Sequence, residues 1–83
     1  MKNNAVEIAR WLPAESDEPG NIYIDWPAVQ RQAGVDHLEW LLKQDKTRCQ
    51  LMVENRQEDP YQYLIAEFYD SRLATEYYLL WAK

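Results

Sequence analysis

The stretch from Arg48 to Tyr69 limits the fold more than any other. Cys49, Leu51 and Val53 alternate with Gln50, Met52 and Glu54. The polar loop Asn55-Arg-Gln-Glu-Asp-Pro60 follows, and then an aromatic, β-favouring run from Tyr61 to Tyr69. Two runs of this kind joined by a polar loop predict a β-hairpin.

Helical signals flank the hairpin. Asp25 is placed to cap a helix that takes Pro27 in its first turn, carries Ala28 to Ala33 and stops at Gly34. One residue later Asp36 offers an N-cap for a further helix over 37–46. In that helix Val35, Leu38, Leu41 and Leu42 share a core-facing side, and Trp40 falls on the other side with Lys43, Gln44 and Thr47. Near the N-terminus, Asn4 and Glu7 have capping-box spacing. Ala5, Ile8, Ala9 and Leu12 recur at helical intervals until Pro13, which predicts a helix over 5–12. Residues 13–20 read as a surface loop and 21–25 as a short strand. In the tail 71–83, Leu73, Tyr77 and Leu80 fit a helix capped by Asp70, with a third strand as the rival. The expectation is a single α+β domain over 1–83: three helices, a β-hairpin and a C-terminal helix.

This order resembles a winged helix-turn-helix. Val29, Ala33, Gly34, Val35 and Asp36 carry the resemblance, because they stand where such domains turn between two helices and the glycine tolerates positive φ. The resemblance implies a wing at 48–69 and a recognition function for the helix after Gly34. Several residues depart from a DNA-reading pattern. That helix carries Asp36, Glu39 and Asp45, and turns Trp40 outward. Gln30 and Lys43 stand where the fold usually takes small or aliphatic side chains. The wing tip sets Glu54, Glu58 and Asp59 against Arg56. Winged helices also serve as protein-interaction modules, so the scaffold does not decide the function.

Charge and residue inventory narrow the classes. Fourteen acidic residues against nine basic ones give a net charge of −5, with no basic stripe of the kind phosphate backbones select. Cys49 is the single cysteine, so no intrachain disulfide forms, which suits a reducing, cytoplasmic setting. No run is long and apolar enough to predict a membrane span. Cys49 and the single histidine, His37, fall on different elements, His37 reading as a surface residue, so no metal or other cofactor is expected. Ser16 and Ser71 lie near turns without a base beside them, and two glycines cannot build a phosphate-cradling loop. The carboxylate pairs Asp17-Glu18 and Glu58-Asp59 sit in solvated loops.

The expected function is therefore non-enzymatic. The chain reads as a small regulatory or inhibitory protein, of bacterial or phage type, that binds another protein, with a basic, nucleic-acid-binding partner as the concrete version. Its binding groups would be Glu15, Asp17, Glu18, Glu54, Glu58 and Asp59, with Trp40 as an aromatic anchor. The rival reading is a winged-helix DNA-binding regulator using Lys43, Gln44, Lys46, Thr47 and Arg48. The apolar run through Tyr77, Leu80 and Trp81 cannot hide every side in so small a core, so a homodimer or partner would cover the rest.

Overall fold

A computed structural model describes residues 4–13, 24–56 and 58–81. Along the chain they form β1 (Asn4–Trp11), α1 (Trp26–Ala33), α2 (Val35–Leu42), β2 (Cys49–Asn55), β3 (Gln62–Phe68) and α3 (Ser71–Leu80). The strands make one antiparallel sheet in the order β1-β3-β2, so the last strand lies in the middle. The molecule is a small α+β domain. In β2 and β3 the expected hairpin is present, with Cys49 opposite Phe68 and Asn55 opposite Gln62.

The helix expected over 5–12 is instead β1. A β-bulge explains the misleading spacing. Glu7 pairs with Ile65 and Ala9 with Leu64, which leaves Ile8 as an extra residue and shifts the strand's parity. Ile8, Ala9 and Trp11 are consequently buried, whereas Ala5 and Leu12, counted on the helical face, are exposed. Among the described residues there are thus three helices and three strands. Of the strand expected at 21–25, residues 21–23 lie outside the described residues, and Ile24 and Asp25 are not in a strand.

Alternation sends Cys49, Leu51 and Val53 of β2 to the same side as Leu64, Ala66 and Phe68 of β3. Val6, Ala9 and Trp11 of β1 join them. The helices close over this side through Val29, Leu38, Leu41, Leu73 and Tyr77. Asp25 caps α1, its Oδ1 accepting from the Ala28 amide at 3.2 Å, and Asp70 caps α3 through the Arg72 amide at 2.9 Å. Ser71–Leu80 of the tail is therefore a helix and not a third strand.

Gly34 ends α1 and begins α2 at once. Its φ of 90° gives the sharp reversal, its amide bonds to the Gln30 carbonyl, and its own carbonyl accepts from Leu38. As a result α2 starts at Val35, ahead of the cap expected at Asp36, and ends at Leu42. Leu38 and Leu41 are buried as expected, but Val35 and Leu42 are exposed. Trp40 does not face solvent. It is half-buried, with its ring 6.0 Å from that of Tyr77. His37, read from the sequence as a surface residue, is also half-buried. It stacks on Trp81 at 4.9 Å and is hydrogen-bonded to the Tyr77 hydroxyl at 3.0 Å.

Candidate functional site

The outer face of the sheet and the hairpin end form the most developed polar surface among the described residues. With β1, β3 and β2 side by side, alternation places Glu7 and Arg10 beside Tyr63, Ile65 and Glu67, and these beside Met52 and Glu54. The Arg56 guanidinium lies 3.9 Å from the centroid of Tyr63 and reaches Glu54 at 3.5 Å and Glu7 at 3.6 Å. Arg10 covers the Tyr61 ring at 5.0 Å. Arg56 thus helps to bury the Tyr63 ring, on the side over which none of the described helices packs. Beside them Ala5, Met52, Val53, Glu54, Ile65 and Glu67 line an open depression of about 340 Å³.

The hairpin carboxylates divide by their partners. Asp59 accepts from the Tyr63 hydroxyl and, at 2.8 Å, from the Tyr61 amide. Those two bonds hold its carboxyl below the usual range, the Tyr63 contribution being larger, and the same bond raises the Tyr63 phenol. Asp59 is thus held ionised while its hydrogen bonds order the loop. Glu54 and Glu58 are exposed, Glu54 while paired with Arg56. Glu15, Asp17 and Glu18 lie outside the described residues. Trp40 sits on α2, on the helix-covered side of the sheet, and so is not brought together with Glu54 and Glu58.

Of the five residues of the DNA-binding alternative, Gln44, Thr47 and Arg48 have internal partners and the two lysines do not. Arg48 is paired with Asp70 at 2.8 Å. The amide and hydroxyl of Thr47 both donate to Asp45, and the Gln44 amide donates to the Trp40 carbonyl at 2.7 Å. Lys43 and Lys46 are left exposed without a partner among the described residues. On α3, Tyr77 is core and cannot contribute to a dimer surface; Trp81 packs half-buried on that core, and Leu80 is exposed.

Burial pushes the Cys49 thiol up, which disfavours the thiolate. Burial also lowers the His37 imidazole, against a smaller opposing contribution from the Ala33 backbone. Among the described residues no group of three or more His, Cys, Asp and Glu side chains is placed to hold a metal ion, and no helix is long and apolar enough to cross a membrane.

Sequence reasoning missed Arg10, Tyr61 and Tyr63, because β1 read as a helix and its register with β3 was not available. It also missed Gln32. This α1 side chain bonds both backbone groups of Arg10, its Oε1 accepting from the amide at 3.1 Å and its Nε2 donating to the carbonyl at 2.6 Å. Comparison with protein-family models, with curated proteins and with solved structures finds no match.

Proposed function

We propose that this chain is a small non-enzymatic regulatory or inhibitory domain that acts by binding a basic protein through its outer sheet face and hairpin end. The observation that carries this reading is the outer sheet face, over which none of the described helices packs. Its cations are already engaged by tyrosine rings and glutamates, while Glu54 is exposed at the rim of an open depression and Glu58 is exposed in the hairpin loop. With a net charge of −5, that surface suits lysine- and arginine-rich partners, including proteins that themselves hold nucleic acid.

Two helices turning at Gly34 ahead of a hairpin support a winged-helix-like scaffold, adapted here to protein binding. DNA binding is the weaker reading, because Arg48, Thr47 and Gln44 already have internal partners. Affinity capture of the tagged chain from host lysate under nuclease treatment tests the choice. One dominant protein that survives nuclease, and is lost when Glu54 and Glu58 are both changed to Lys, is the expected result. Recovery of DNA, or of proteins released by nuclease, would turn the reading to a DNA-binding regulator.

A further inference from the structure

The two edges of the sheet are treated differently. Phase follows from two bonds: the Tyr69 amide donates to Arg48, which makes 48 and 69 a bonded pair, and the Cys49 amide turns away to Asp45. Along β2 the backbone groups of Gln50, Met52 and Glu54 therefore face β3, and those of Leu51, Val53 and Asn55 face outward. The opposite edge is blunted. Gln32 occupies both outward groups of Arg10, and the bulge at Ile8 breaks the repeat. No described residue does the same for Leu51 or Val53.

Depressions also flank β2 on both sides. On the helix side one of about 210 Å³ is lined by Leu41, Leu42, Lys46, Cys49 and Leu51. On the outer side lies the larger one beside Met52, Glu54 and Ile65. A strand added to this edge would place alternate side chains into the two depressions, its main chain bonding to Leu51 and Val53. We infer that β2 is the docking edge for an extended basic segment of a partner protein, with apolar side chains directed towards Leu42 and Leu51 and basic ones towards Glu54. This rests on the protein-binding reading above and names its mode. Charge favours a basic segment over a second copy: each copy carries −5, and on the outer face Glu7, Glu54, Glu58, Asp59 and Glu67 outnumber Arg10 and Arg56.

The probe is an acetylated, amidated octapeptide alternating lysine and valine, compared with its fully N-methylated counterpart of equal charge. Binding at least tenfold weaker for the N-methylated peptide is expected, with amide exchange at Leu51 and Val53 slowed at least tenfold by the unmodified one. Equal binding of the two peptides would overturn the inference, as would unchanged exchange at both amides. So would a dimer in sedimentation whose formation protects those amides. Capture of the lysate partner by a folded Val53→Pro variant, which loses only an outward amide, would refute the edge and leave the protein-binding reading standing. Loss of lysate capture in the wild type, with peptide pairing intact, would instead remove that reading alone.

Discussion

Leu64 and Ile65 are neighbours on the central strand, and their two sides of the sheet have different work. Leu64 points into the helix-covered side with Ala66 and Phe68, in the main apolar cluster. Ile65 points to the outer side, where its surroundings are the depression beside Met52 and the carboxylates of Glu54 and Glu67. Residue for residue both are buried, at 0% and 7% exposure, yet one lies under the helices and the other on the side over which none of the described helices packs. The main apolar cluster lies on the first side, and the surface proposed for recognition lies on the second.

Truncation separates the sides most strongly. Phe68→Ala on the inner side is expected to cost about 3–5 kcal/mol in urea unfolding, and Ile65→Ala clearly less, because the outer depression can relax into solvent. Equal costs would break the distinction. Next in size is Gly34→Ala. A Cβ meets nothing within 4 Å, so the penalty is backbone strain alone at φ 90°, ψ 148°, about 1–3 kcal/mol. Asp25→Ala, which uncaps α1 over the inner side, should cost about 1 kcal/mol by the same measurement.

Acid reaches the two sides at different pH. His37 titrates lower in the folded state than unfolded, so the unfolded chain takes up its proton first, and stability begins to fall as pH drops below about 6.5. As the only histidine, it makes this window attributable, and His37→Gln should flatten a stability profile between pH 7 and 5. Asp59 on the hairpin end has a depressed folded value, so its contribution persists above the unfolded carboxyl range and is lost only as pH falls through the folded one. A Tyr63→Phe variant should shrink that late acid step, leaving the part owed to the Tyr61 amide, and keep the earlier one. Smallest is Arg56→Ala. Its exposed ion pairs should change the melting free energy by less than about 1 kcal/mol, while exposing the Tyr63 ring and altering partner affinity.

The legible parts of the sequence were those whose signals are local. Strict alternation marked β2, the Asp25–Pro27 start marked α1, and Asp70 marked α3. Strand β1 was hidden because the bulge at Ile8 puts consecutive residues, Ile8 and Ala9, into the core, and such a doublet copies helical spacing. Trp40 and His37 looked exposed on a helical wheel because the elements that cover them, Tyr77 and Trp81, arrive about forty residues later. At the candidate site, Glu54, Glu58 and Asp59 were readable as a polar loop. That Asp59 serves the loop itself, and that Arg10 and Arg56 cap tyrosine rings, depends on strand register and so was not.

Residue-resolved amide hydrogen exchange, measured on the free protein and again with its captured partner bound, tests the division of labour most directly. Slow exchange at Leu64 and Ala66 in both states, with new protection confined to β2 and the hairpin end, is the expected result. New protection around Trp26, Val35 and Leu42, the exposed apolar groove between α1 and α2, with β2 unchanged, would contradict it.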